Sequence, residues 1–224
     1  MYFRQNKLID CEFFSSCVET AFKADTVIAY LNEIPRNSYL IVEGTVKAYV
    51  LDGQGAERTV AFLGAGDIVS SAFILGISSA NMFYYSSVSD LKTKKFSIKG
   101  LRETLKVDQK LAYAMLRQYS RGYVSSLVRI EALIQSKANE KLLKLFKHLM
   151  MQFGSEKSDG WVTIQLRLTQ SDIADMIGLT RVTVTNELAK LKKKNVIKNN
   201  GFTYEIDAQA LPKLMREDFW NHLH

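Results

Sequence analysis

Seven side chains, Leu111, Met115, Tyr119, Tyr123, Leu127, Ile130 and Ile134, recur at intervals of four and three residues. That spacing lines them up on one face of a single helix of roughly six turns or more, with Gly122 its one breaker. A stripe so long exceeds what packing on a small domain needs. Pairing with the same helix of a second subunit, as a homodimer, is therefore the expectation, against the plainer alternative of a helix lying along its own domain.

The residues before this helix follow a different period. Residues 39–51 are rich in β-branched and aromatic side chains, break at Asp52-Gly-Gln-Gly55 and resume at 58–63 before Gly64-Ala-Gly-Asp67, which is hairpin spacing. Short strands with Gly-rich turns and no intervening long helix predict a small antiparallel barrel or jelly roll over 20–97. Beyond the long helix, Ser136-Lys-Ala-Asn139 makes a polar break that suits a hinge. A second helical pattern follows at Leu142, Leu143, Leu145, Phe146, Leu149 and Met150, and residues 154–160 read as a loop. The fold class is therefore α+β, in three parts: a β-roll over 1–98, a dimerisation helix over 99–136 and a C-terminal domain over 137–224.

Composition narrows the setting. The 224 residues are 47% apolar and 24% charged, which excludes a disordered chain and allows one large domain or two modest ones. Two cysteines, Cys11 and Cys17, cannot build a disulfide framework, and the opening residues carry no export pattern, so a cytoplasmic protein is expected. Residues 68–89 lack charge, but eight Ser and Asn side chains make them too polar for lipid; no membrane partner is expected. The net charge of +7 favours a polyanion partner.

The C-terminal part carries the most specific pattern. Residues 161–166 read as a strand, and Thr169-Gln-Ser-Asp172 places a cap hydroxyl three residues before a carboxylate. Ile173, Ala174 and Ile177 supply an apolar face, Gly178 ends that helix, and Thr180 caps the next. Two helices joined by so tight a turn match a helix-turn-helix. Val184, Leu188 and Leu191 point the second helix inward, leaving Arg181, Val182, Thr185, Asn186 and Lys190 outward. Arg181 suits a guanine edge, Asn186 an adenine edge and Val182 a thymine methyl, with Thr185 beside them. Thr169, Thr180, Thr183, Lys190, Lys198 and Asn199 suit the phosphate backbone of double-stranded DNA. Residues 161–204 hold seven basic side chains against three acidic ones, and 196–206 read as two strands around an Asn-Gly turn, the wing of a winged helix.

Gly44, the Gly64-x-Gly-Asp67 turn, the long helix and the run from Leu168 to Asn186 together resemble the Crp/Fnr family of bacterial transcription regulators, over about residues 27–210. The resemblance implies a homodimer with an effector-sensing β-roll, on a twofold-symmetric operator and often in contact with RNA polymerase. Many members read bases through Arg, Glu and Arg. Here Arg181, Val182 and Asn186 stand at those places, so the operator should depart from the commonest consensus. Members that bind cyclic AMP carry Gly-Glu after the Gly-Asp turn and Arg-Ser a little later. This chain has Ser70-Ser71 at the first place and no arginine over 80–87. A buried cyclic phosphate would lack its charge partner, so cyclic AMP is not expected.

Other sensors fare no better. Two cysteines fall short of the four thiolates of an iron–sulfur cluster, and His148, His222 and His224 all lie outside the β region where an axial haem ligand is wanted. No cofactor and no metal is expected. Cys11 and Cys17 read as unrelated thiols, reversible disulfide formation being the alternative. What remains is a neutral or weakly polar effector, in a candidate pocket of Ser70, Ser71, Tyr85 and Ser126, or none; Arg121 and Arg129 read as solvated charges, with binding of a small carboxylate the alternative. The chain shows no phosphate loop, paired-His metal motif or Gly-x-Ser-x-Gly elbow, and no catalytic residue is assigned. The other class to weigh is a winged helix that binds protein, which would want an apolar outward stripe where only Val182 is apolar.

Overall fold

The computed structural model describes residues 8–157 and 159–215, and the chain divides into two compact units at Gly122 and Tyr123. His222 and His224 lie outside the described residues. The first unit runs through α1 (Glu12–Ser15), β1 (Val18–Phe22), β2 (Val27–Ala29), β3 (Asn37–Glu43), β4 (Val46–Leu51), β5 (Glu57–Leu63), α2 (Ser71–Ile74), β6 (Tyr84–Ser87), β7 (Leu91–Ser97) and α3 (Ile98–Leu105) into the first half of α4 (Gln109–Ile134). Its strands form two antiparallel sheets, ordered β1-β7-β3 and β2-β6-β4-β5.

Alternation along β3 explains how the unit closes. Ile41 points into a core shared with Val46, Ala48, Tyr85 and Leu91 between the sheets. Leu40, its neighbour, points the other way into a second core with Phe14, Phe96, Leu101, Leu111 and Met115, where the helices cover the sheet. The run over 39–51 is thus two strands in different sheets, not the single strand expected. Its corner is Gly44, at φ 94°, where an added Cβ would sit 2.4 Å from the Asp90 carbonyl oxygen. Only glycine allows that backbone to come so close at that dihedral.

The long helix forms as one 26-residue element, but its stripe does not serve one purpose. Leu111 and Met115 are buried in the first unit's core, and Tyr119 packs against it. These three are therefore corrected from interface to core residues. Tyr123, Leu127, Ile130 and Ile134 remain exposed, Ile134 at 73%. The stripe is therefore divided, its first half buried in or packed against the core of the first unit and its second half exposed, and the boundary between the units falls within the helix.

The second unit continues with α5 (Ala138–Phe153), β8 (Gly154–Glu156), β9 (Trp161–Ile164), α6 (Gln170–Ile177), α7 (Arg181–Lys193), β10 (Ile197–Asn200), β11 (Thr203–Asp207) and α8 (Ala210–Met215). Its antiparallel sheet is ordered β10-β11-β9-β8. The stretch over 154–160 is thus not all loop, since Gly154–Glu156 pairs with β9. Residues 142–150 of α5 are buried without interruption, because α6, α7, α8 and β9 all pack against that helix. The wing turns at Gly201 and Phe202, one residue later than the Asn-Gly pair suggested, with Gly201 at φ 58° and Asn200 opposite Thr203. Among the described residues, no helix is long and apolar enough to cross a membrane.

Candidate nucleic-acid interface

The interface begins with two helix caps. Thr169 Oγ1 accepts from the Asp172 N–H at 3.0 Å, while Asp172 Oδ2 accepts from the Thr169 N–H at 3.0 Å. This reciprocal capping box, worth about 1 kcal/mol, fixes where α6 starts. Its end is fixed by Gly178 in the left-handed region at φ 62°, whose N–H donates to the Ala174 carbonyl. Thr180 then caps α7, accepting from the Thr183 N–H at 3.1 Å. The turn is as tight as the sequence predicts.

Helix α7 buries Val184, Leu188 and Leu191 and exposes Arg181, Val182, Thr185, Asn186 and Lys190, as expected. Thr185 has a structural task as well: its Oγ1 lies 2.6 Å from Gln170 Oε1, tying the outward face of α7 to the start of α6. The side chains expected to meet phosphate engage the protein itself. The Thr169 hydroxyl donates to Asp172, Thr180 and Thr183 share a 2.8 Å hydrogen bond, and Lys190 pairs with Glu187 at 2.6 Å. Lys198 lies 3.7 Å from the Trp161 ring centroid, and Asn199 donates to the Gly201 carbonyl. These side chains shape the surface before they touch anything outside it.

A cleft of about 440 Å³ opens between the start of α6, the start of α7 and the wing, lined by Arg181 and Asn199 together with Gln170, Ser171, Gly201 and Phe202. Arg167 stacks 4.4 Å from the Phe202 ring centroid beside it. Sequence reasoning did not single out Gln170, Ser171 or the Arg167–Phe202 pair. The capping box held a signal for the first two, because residues just after an N-cap stand at the open amide end of their helix. Cationic and amide side chains around the amino ends of two helices make this cleft attractive to an anionic backbone.

The effector residues are split between the units. Ser70, Ser71 and Tyr85 belong to the first, where Ser70 adopts φ 59° at the start of α2 and hydrogen bonds through its backbone to the Tyr85 hydroxyl. Tyr119 joins them, its buried hydroxyl facing Ser71 without a well-formed hydrogen bond. Burial pushes both tyrosines up to about 12. Ser126 lies in the second unit. Arg129 is no solvated charge: it is half-buried, and its Nε donates to the Met176 carbonyl at 3.2 Å. Burial raises the Cys11 and Cys17 thiols above their ordinary range, which works against thiolate chemistry.

Comparison with known proteins bears on both units. Residues 140–216 match the Crp-like helix-turn-helix domain, and residues 19–90 match the cyclic nucleotide-binding domain. The chain is 30% identical over 178 residues to the global nitrogen regulator of Synechococcus elongatus, covering 79% of each. It is 29% identical over 185 residues to the global nitrogen regulator of a Nostoc species, covering 82% of each. A solved CRP/FNR-family transcriptional regulator from Thermus thermophilus has the same fold. Its TM-score is 0.69 at 20% identity, with 89% of this chain and 99% of that one covered.

Proposed function

The chain belongs to the Crp/Fnr family of DNA-binding transcription regulators, and from that premise we propose that it works as a homodimer on a twofold-symmetric operator, without cyclic AMP. The observation that carries this reading is the face of α7. Arg181, Val182 and Asn186 are exposed on it, over a helix anchored by Val184, Leu188 and Leu191. An arginine at that amino end suits a guanine edge, and an asparagine one turn on suits adenine. The exposed Tyr123, Leu127, Ile130 and Ile134 supply the apolar seam for a second copy. Cleft residues Gln170, Ser171 and Asn199 support backbone positioning. Against cyclic AMP stand Ser70 and Ser71 where an acidic cassette residue is needed, and the missing arginine over 80–87. An effector of weakly polar character near Ser71, Tyr85 and Tyr119 fits the chemistry of that cluster. The reading is one of regulation, not catalysis.

Selection of binding sites from a random duplex library by the purified protein, with no ligand added, tests it. A twofold-symmetric motif with half-sites one DNA turn apart is expected. Arg181→Ala should then relax one position of each half-site at about 1–3 kcal/mol. Salt-sensitive binding to all duplexes without enrichment would overturn unliganded readout, and equal losses on every sequence would make Arg181 a phosphate contact. Capture of proteins with no DNA preference would favour the interaction-module alternative.

A further inference from the structure

The carbonyl end of α6 is where the helix-turn-helix turns, and it is held from outside. The last carbonyls of any helix lack intrahelical partners. In α6, Ala174 O is taken by the Gly178 and Leu179 amides of the turn itself. Met176 O accepts from Arg129 Nε of α4 at 3.2 Å. Ile177 O accepts from Lys141 Nζ of α5 at 3.3 Å, and the same ammonium donates to Leu133 O of α4 at 2.8 Å. Two cations thus sit at the negative end of one helix, the favourable end for positive charge. Leu133 flanks the same corner, its Cδ2 3.7 Å from where a Gly178 Cβ would lie.

These fastenings connect the reading head to a particular part of α4. Arg129 and Leu133 fall on a different flank of that helix from Tyr123, Leu127, Ile130 and Ile134, given 3.6 residues per turn. The half-helix from Tyr123 onward is therefore tied to α6 through Arg129 and to α5 through the Leu133 carbonyl, while Tyr123, Leu127, Ile130 and Ile134 stay exposed. The polar break at Ser136–Asn139, read from sequence as a hinge, is bridged by Lys141.

We infer that Arg129 and Lys141 are positioning residues for DNA reading, which fix the helix-turn-helix to the exposed seam of α4 and so set the separation at which two copies read their half-sites. The inference rests on the homodimer reading above. A cation that only stabilised the fold would lower binding to every site alike. One that sets geometry changes which spacing is preferred, leaving base preference within a half-site intact.

The experiment measures affinity of the full chain for palindromes whose half-sites are separated by the selected spacing or by one base pair more or less. Single half-sites, oligomeric state by light scattering and melting curves accompany it. The double variant Arg129→Gln with Lys141→Gln should stay dimeric and keep its half-site base preference. Its discrimination between the best spacing and its neighbours should fall about tenfold, within the usual range of coupling between sites. Lys141→Gln alone should give a smaller loss in the same direction, and serves if the double variant does not fold. Arg129→Lys, which keeps a donor, should restore most of the discrimination. Folded, dimeric variants with unaltered spacing preference overturn the inference, as does a loss equal at all spacings. A wild-type protein that is monomeric or indifferent to spacing overturns the homodimer reading, and this inference with it.

Discussion

His148 makes the second unit sensitive to acid in a way that a single substitution isolates. The imidazole is 6% exposed on α5, with Ser125 Oγ 3.1 Å from Nδ1. Burial first, and the Arg129 cation second, lower its pKa from 6.5 to about 4. In the unfolded chain the ring takes a proton near pH 6.5; in the folded one it resists until about pH 4. Between those values the unfolded state binds more protons, so stability falls as pH falls, and above pH 7 the group contributes nothing. At about 1.4 kcal/mol per pH unit, the penalty reaches about 2 kcal/mol at pH 5 and about 3 kcal/mol near pH 4. Urea unfolding of the wild-type chain and His148→Gln, followed by tryptophan fluorescence from pH 7.5 to 4.5, measures it. Carboxylates titrate in both proteins, so the difference between the two curves belongs to the ring. That difference should move by about 2 kcal/mol in favour of the variant between pH 7.5 and pH 5. A difference constant across that range refutes the reasoning.

Three further outcomes follow from the packing. Gly44→Ala puts a Cβ against the Asp90 carbonyl at a positive φ, and should cost about 2 kcal/mol or more, read as a lowered melting temperature of the first unit. Leu127→Asp should shift the light-scattering mass from dimer to monomer with little change in folding. Leu111→Ala, at the other end of the same stripe, should cost about 2–5 kcal/mol of stability and leave the mass unchanged; the reverse pattern would show that the helix is divided differently.

The recognition helix was legible because its constraint is local. Val184, Leu188 and Leu191 can share only one face of a helix, and Gly178 followed by a cap threonine leaves little choice of turn. The stripe on α4 was legible as a helix but not as to what covers it. Its period is the same whether Leu111 meets Leu40 and Phe96 or a second copy, and that choice is made by residues far away in the chain. Gly44 stands out in the sequence through the family resemblance and not as a corner between sheets, for the same reason, since the Asp90 carbonyl that approaches it lies 46 residues on. Arg129 looked solvated because a helix surface position says nothing about a carbonyl of another helix that needs a donor. Hydroxyl pairings such as Thr185 with Gln170 lie below the resolution of any pattern.

Because Thr180 closes on Thr183, the first turn of α7 keeps its shape before any duplex arrives, and little ordering entropy remains to be lost there on contact. The helix engages as a preformed body. Its heat-capacity change on association should then track the surface covered, with no contribution from local folding. On the proposed reading, a phosphate at this end would find the amides of Arg181 and Val182, the first-turn donors that the Thr180 cap does not take, already in place.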